Sequence, residues 1–206
     1  MKLAMAIDIT RCIGCCTCAV ACKMANNLPN DVWYDKIQTD GGDSLDSARG
    51  TYPNDLHMRY IPVSCQHCDK PACVEVCPTG ATYKREKDGI VVIEAEACIG
   101  CQACVSACPY GCRTMLSEDP SWSVDFAVGD ADAPAFVTGT VVKCTGCANR
   151  IDRDEEPACM RLCPGRARHW GDIDDPESDI SKYLADKHYE RLNEAAGTEP
   201  NCYYVS

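Results

Sequence analysis

The chain has 206 residues and carries 31 Asp and Glu against 20 Lys and Arg, for a net charge of −11 at pH 7. That balance excludes nucleic acid as a partner, because phosphate binding needs clustered Lys and Arg. No stretch approaches the roughly 18 consecutive apolar residues of a membrane span. The length allows one domain or two small ones, and 19 cysteines leave three chemistries open: disulfide scaffold, zinc protein or iron–sulfur protein.

In chain order, Leu3, Met5 and Ile7 alternate and predict a short strand. The apolar run Leu3 to Ile7 is too short for a signal peptide and no twin-arginine pair accompanies it, which weighs against disulfides, since these need an oxidising compartment. The first block of four cysteines follows: Cys12, Cys15, Cys18 and Cys22, with a short helix expected over 19–24. The span from Asn26 to Tyr60 holds Leu-Pro-Asn, Gly-Gly-Asp and Tyr-Pro-Asn and reads as an irregular insertion. The second block is Cys65, Cys68, Cys73 and Cys77, with a helix expected over 74–76. Segments 81–84 and 90–93 read as a hairpin turned at Lys87-Asp88-Gly89. The third block is Cys98, Cys101, Cys104 and Cys108, with a helix expected over 105–107. A polar insertion from Ser117 to Gly139 leads to the fourth block, Cys144, Cys147, Cys159 and Cys163, with a helix expected over 160–162. Ile180, Tyr183 and Leu184 have helical spacing, and Gly197 is a stop before the terminal Cys-Tyr-Tyr-Val. Little of this can form a large apolar core, so metal ligation must supply much of the folding free energy.

An internal repeat orders the blocks. Arg11 to Lys23 aligns without a gap on Ala97 to Pro109, and Pro71 to Pro78 on Pro157 to Pro164, as a duplicated two-cluster module would. Blocks one and three carry the C-x2-C-x2-C-x3-C run of bacterial ferredoxins, whose fourth cysteine ligates the other cluster of a pair. Four quartets imply four [4Fe–4S] clusters, because a cubane needs four soft anionic ligands and thiolate provides them. Gly14, Gly100 and Gly146 precede the second cysteine in three blocks, where positive φ lets the backbone approach an inorganic core. Pro78, Pro109 and Pro164 follow three of the fourth cysteines, and Lys23 takes that place in block one. Zinc is the main alternative: Cys144, Cys147, Cys159 and Cys163 alone could form a zinc ribbon, but the three-cysteine run is much less zinc-like. Cys16, Cys112 and Cys202 read as small buried hydrophobes. His67, between two ligands, reads as support for the ligands rather than a ligand, and Trp33, Trp122 and Trp170 as packing residues. The run Asp152 to Glu156 reads as a solvated face or a partner surface. No nucleophilic triad, phosphate loop or carboxylate pair is present, so no catalytic residue and no organic-cofactor site is assigned.

These motifs resemble the four-cluster electron-transfer (beta) subunit of complex iron–sulfur molybdoenzymes, such as the dimethyl sulfoxide, polysulfide, thiosulfate, tetrathionate and respiratory arsenate reductases. The resemblance covers nearly the whole chain and rests on the runs from Cys65, Cys98 and Cys144, on Pro157 to Pro164, and on the segment from Gly171. Asp154 stands where members often have glycine. The resemblance implies crossed ligand sets: Cys12, Cys15, Cys18 with Cys163; Cys144, Cys147, Cys159 with Cys22; Cys65, Cys68, Cys73 with Cys108; and Cys98, Cys101, Cys104 with Cys77. It also implies a molybdopterin-containing catalytic subunit near the Cys12 cluster and a quinol-handling membrane anchor near the Cys98 cluster, so that the chain is peripheral to the cytoplasmic membrane. The expected fold is α+β: duplicated ferredoxin-like modules with irregular insertions and little regular secondary structure. Residues 1–25 with 140–175 form one module and 61–116 the other, with insertions 26–60 and 117–139 and a C-terminal helix and tail at 176–206. A free-standing polyferredoxin is the alternative function.

Overall fold

The computed structural model describes residues 1–41 and 47–206, so the Gly-Gly-Asp signal of the first insertion lies partly outside the described residues. Along the chain come β1 (Leu3–Asp8), α1 (Thr17–Ala25), β2 (Lys36–Thr39), β3 (Tyr60–Val63), α2 (Ala72–Glu75), β4 (Thr82–Lys84), β5 (Val91–Ile93), α3 (Ala103–Ser106), β6 (Arg113–Met115) and β7 (Val141–Lys143). There follow α4 (Ala148–Ile151), α5 (Ala158–Arg161), β8 (Arg168–Asp172), α6 (Asp179–Leu184), β9 (Tyr189–Glu190) and β10 (Cys202–Val205).

The strands obey one rule. The strand leaving each cysteine block pairs antiparallel with the strand entering the next: β2 with β3, β4 with β5, β6 with β7. The last closes on the first, β8 with β1, in the register Leu3↔Asp172 to Ile7↔Arg168. The expected hairpin at Lys87-Asp88-Gly89 is present. Asp88 Oδ1 accepts from the Ile90 N–H at 3.0 Å and Gly89 takes φ 76°, the turn chemistry that Asp-Gly supplies.

The largest sheet has the order β8-β1-β10-β9, and β1 alternates as its sequence predicts. Ala4 and Ala6 pack with Ile180, Leu184 and Val205, while Ile7 packs with Cys202 and Tyr204 beside Met5 and Ile61. One face is thus covered by α6, and the other borders the cysteine-rich loops. Ser178 caps α6 by accepting the Ser181 N–H at 3.2 Å.

Three expectations are corrected. The residues after Leu184 are not a loose tail: β10 runs parallel to β1, with Cys202 fully buried and Tyr204 nearly so. A parallel partner needs a long crossover, which no local pattern reveals. Gly197, at φ 69°, is the expected stop before the terminal strand, but the segment it ends is a separate short 3-10 turn over Glu194–Ala196. The first insertion is not wholly irregular, since it contributes β2 and packs Leu28, Val32 and Tyr34 against Cys22 and Leu116. The short helices begin about two residues earlier than expected, so each third cysteine lies in a first turn. The second insertion has no helix or strand and leans on the first: Trp122 Nε1–H donates to Asn27 O at 2.8 Å, and Trp122 meets Phe136 edge-on.

Asp69, just past the second block's paired cysteines, ties distant segments together. It accepts from Lys84 Nζ at 2.7 Å, Asn201 Nδ2 at 2.9 Å and Lys2 Nζ at 3.1 Å. Burial raises its pKa, but the bonds from Lys84, Asn201 and Lys2 more than offset that and bring it down to about 2. A carboxylate held below its unfolded value of ~3.9 stabilises the fold above about pH 4 and loses that contribution as pH falls toward 2. Asp69→Asn is expected to cost about 1–3 kcal/mol at pH 7, measured by urea unfolding, with the gap from wild type closing as pH is lowered from 7 toward 3.

Candidate metal centres

Sixteen cysteines converge on four cavities, three from one block and one from another in each. Cys12, Cys15, Cys18 and Cys163 line the first. Cys22, Cys144, Cys147 and Cys159 line the second. Cys65, Cys68, Cys73 and Cys108 line the third. Cys77, Cys98, Cys101 and Cys104 line the fourth. These are the groupings that the resemblance implies. Among the described residues no three His, Cys, Asp or Glu side chains gather closely enough to share one metal ion.

The cavities differ in depth. Cys15 and Cys101 are exposed, and so are their neighbours Ile13 and Ile99. The equivalent second cysteines of the other two blocks, Cys68 and Cys147, are buried. The first and fourth cavities therefore reach the surface through matching Cys-Ile-Gly-Cys loops, a route that the buried Cys147 and Cys68 do not give the second and third.

The backbone geometry repeats. The residue before the second cysteine has positive φ in all four blocks: Gly14 at 66°, His67 at 43°, Gly100 at 64° and Gly146 at 63°. At Gly100 a methyl group would collide with the carbonyl oxygen of Gly139 and lie 2.9 Å from Met115 Cε. Histidine is among the few side chains that tolerate this region, so block two departs from glycine without changing its path. Asp154 likewise takes φ 59°, a region that aspartate tolerates. Backbone N–H groups point at two fourth cysteines: Thr82 N–H to Cys77 Sγ and Ala167 N–H to Cys163 Sγ, both at 3.4 Å.

Burial makes the inner thiols poor acids. It pushes Cys22 and Cys144 far up, Cys159 to about 12 and Cys68 to about 11. Thiolates in such places need positive charge or donors nearby, and three buried side chains supply nitrogen donors. Arg168 pairs with Asp35 at 2.6 Å, both side chains 2% exposed, and acts on Cys159 and Cys18, which line the second and first cavities. Arg113 lines the third cavity and acts on Cys73, Cys65 and, in the fourth, Cys104. His67 lines the second cavity, its imidazole held neutral by burial and by the nearby Lys143 and Arg113. One nitrogen of each, Arg168 Nη1, Arg113 Nη2 and His67 Nε2, is buried without a protein partner, a cost of about 1–3 kcal/mol apiece unless a ligand accepts from it. Cubane sulfur is such an acceptor, so the donor set fits [4Fe–4S] clusters.

Comparison with known proteins places this geometry. The 4Fe-4S dicluster domain family matches residues 56–123 and 133–173. A protein of Halobacterium salinarum named as the iron–sulfur subunit of a dimethyl sulfoxide reductase is 41% identical, over 98% of this chain and 78% of its own. The iron–sulfur subunit of the arsenate respiratory reductase of a Shewanella species is 35% identical over 100% and 96%. A polysulfide reductase subunit of Wolinella succinogenes is 38% identical over 99% and 94%. The protein is a member of the iron–sulfur beta subunits of the molybdoenzyme reductases.

In this beta subunit the two arginines were not singled out by the motifs, although the repeat carried a signal. Each is the fifth residue after a fourth cysteine, Arg113 after Cys108 and Arg168 after Cys163, and each opens the strand that leaves its block. Two of the spare cysteines are also more than buried hydrophobes. Cys16 lines the first cavity and Cys112 the third, where hydrogen bonding to Cys112 leads the effects that bring Cys108 down to about 5. Of the three, only Cys202 is simply a buried residue of the sheet. The acidic run is an ion-pair surface, with Asp152 accepting from Arg85 at 2.5 Å and Lys87 at 2.6 Å.

The glycine geometry makes a paired prediction. Gly80, at φ 69°, has open space where a Cβ would stand, so Gly80→Ala should cost about 1–2 kcal/mol from backbone strain alone. Gly100→Ala must also displace the Gly139 backbone and should cost roughly 3 kcal/mol. Thermal unfolding should separate the two variants, and Gly100→Ala should retain less iron on purification.

Proposed function

We propose that the chain carries four [4Fe–4S] clusters in a row and relays electrons between a molybdopterin catalytic subunit and a membrane quinol-handling subunit or other donor, catalysing no reaction itself. The observation that carries this reading is the pair of exposed Cys-Ile-Gly-Cys loops at Cys12 and Cys98, whose counterparts Cys68 and Cys147 in the other two blocks are buried: a relay needs two accessible ends. Its fold is α+β, two ferredoxin-like modules, residues 1–25 with 140–175 and residues 61–116.

When bound, each cluster supplies one-electron exchange at a potential set by its surroundings. The chain's residues do the rest. Cys12, Cys15, Cys18 and Cys163 would hold one cluster, and Cys22, Cys144, Cys147 and Cys159 the next. Cys65, Cys68, Cys73 and Cys108 would hold the third, and Cys77, Cys98, Cys101 and Cys104 the fourth. Arg168 and Arg113 offset thiolate charge in each half, and β1 walls two of the cavities, with Leu3 and Met5 against the second and Ile7 against the first. No helix among the described residues is long and apolar enough to cross a membrane, so attachment to the cytoplasmic membrane would come through partner subunits, with the Cys12 end toward the molybdopterin chain and the Cys98 end toward the anchor.

Anaerobic purification should yield about 16 irons per chain with matching sulfide, four for each quartet; stoichiometric zinc with iron near zero would end the reading. Affinity isolation of the native assembly should recover a large molybdopterin-containing chain, whereas repeated recovery of this protein alone would favour a free polyferredoxin. The crossed pairing has its own test. Because Cys112 shares the third cavity, Cys108→Ser should be made together with Cys112→Ser. The double variant should alter the EPR signal of the cluster held by Cys65, Cys68 and Cys73 and leave that of Cys98, Cys101 and Cys104 unchanged.

A further inference from the structure

His67 belongs to block two by sequence and to the second cavity by position. Its neighbours Cys65, Gln66 and Cys68 line the third cavity, but the imidazole turns away and joins Cys22, Cys144, Cys147 and Cys159 around the second. The positive φ of 43° at His67 produces that turn. Two contacts then fix the ring. Nδ1 accepts the backbone N–H of Val91 at 3.1 Å, which leaves the imidazole proton on Nε2. Nε2 lies against the Cys144–Cys147 loop, 3.3 Å from where a Cβ on Gly146 would stand, so a glycine there leaves it room. That N–H is buried, and no protein atom accepts from it.

A buried donor with a fixed direction needs an acceptor, and the cavity it faces offers sulfur. We propose that His67 Nε2–H donates a hydrogen bond to a sulfur of the cluster held by Cys22, Cys144, Cys147 and Cys159, raising that cluster's potential. The inference rests on the reading that this cavity holds a [4Fe–4S] cluster. A hydrogen bond to cluster sulfur stabilises the reduced state, which carries one more negative charge. Because the chain runs directly from His67 to Cys68, the same residue makes a short covalent link between the donor on the second cluster and a ligand of the third. It sits where the two halves of the relay meet.

The full chain, purified anaerobically and assayed for iron and sulfide, provides the test, with 15N-labelled histidine and pulsed EPR as the direct readout. The chain has four histidines, and only His67 lines a cysteine cavity. The expected result is an imidazole nitrogen coupling to a reduced cluster, lost in His67→Asn and altered in Cys159→Ser. Asn tolerates the positive φ and offers its side-chain oxygen to the Val91 N–H, but it cannot place an N–H at the Nε2 position. In an EPR-monitored titration, His67→Asn should shift the reduction equilibrium of that one cluster about tenfold against reduction, equivalent to about 59 mV for a one-electron couple. Iron-replete protein without the coupling, or with an unchanged potential in His67→Asn, overturns the role of His67 and leaves the relay intact. Protein without a cluster in the Cys144 cavity overturns both.

Discussion

Each block of four cysteines yields its last thiol to a cavity that another block has begun. That exchange governs the rest of the structure. Three thiols from one tight loop can be gathered locally, because positive φ before the second cysteine and a helix starting at the third bend the chain around a centre. The fourth must come from elsewhere, so blocks one and four, and blocks two and three, are bound to each other in pairs. The antiparallel pairs β8–β1 and β4–β5 are the means, since they bring the strand leaving one member of a pair alongside the strand entering the other.

Burying so many thiols sets an electrostatic problem that a small chain of net charge −11 cannot leave to solvent. The answer is sparse and placed between centres. Arg168 acts on thiols of the first and second cavities, and Arg113 on thiols of the third and fourth. Asp35 keeps Arg168 from being an isolated buried cation, a situation that costs several kcal/mol when one partner of such a pair is removed. Between the halves a neutral imidazole stands beside a third buried cation, Lys143, which acts on Cys144 of the second cavity and Cys73 of the third.

Much of this was legible in the residues. The four blocks, the hairpin at Asp88-Gly89 and the alternation of β1 follow from local patterns that the final fold respects. The grouping of cysteines into cavities came from likeness to a family rather than from spacing, because nothing local says which fourth thiol goes where. β10 escaped because its partner β1 lies at the other end of the chain, and parallel pairing leaves no turn to read. His67 was legible as support for the ligands, but not its backbone or the cavity it faces. Its block has the right spacing, and its residue type gave no hint that it takes the left-handed backbone that glycine takes in the other three blocks. The arginines were visible in the repeat, five residues after a fourth cysteine, but an arginine outside a motif invites no attention until its burial is known.

The closed circuit of strand pairs has a consequence for biogenesis. Cys77 and Cys98 are separated by one hairpin, and the strands flanking them pair as soon as both have been made. Cys12 and Cys163 are far apart in sequence, and β1 has no partner until β8, and then β10, have been synthesised. Loop closure over long separations is slow and comes late. The inner half can therefore be complete while the amino-terminal loop, with Cys15 and Ile13 at its tip, still waits for its partners. The cavity that Cys12 opens is then slower to gain its fourth thiol than the one that Cys98 opens, and a chain stopped short of Cys163 presents Cys12, Cys15 and Cys18 with one ligand missing.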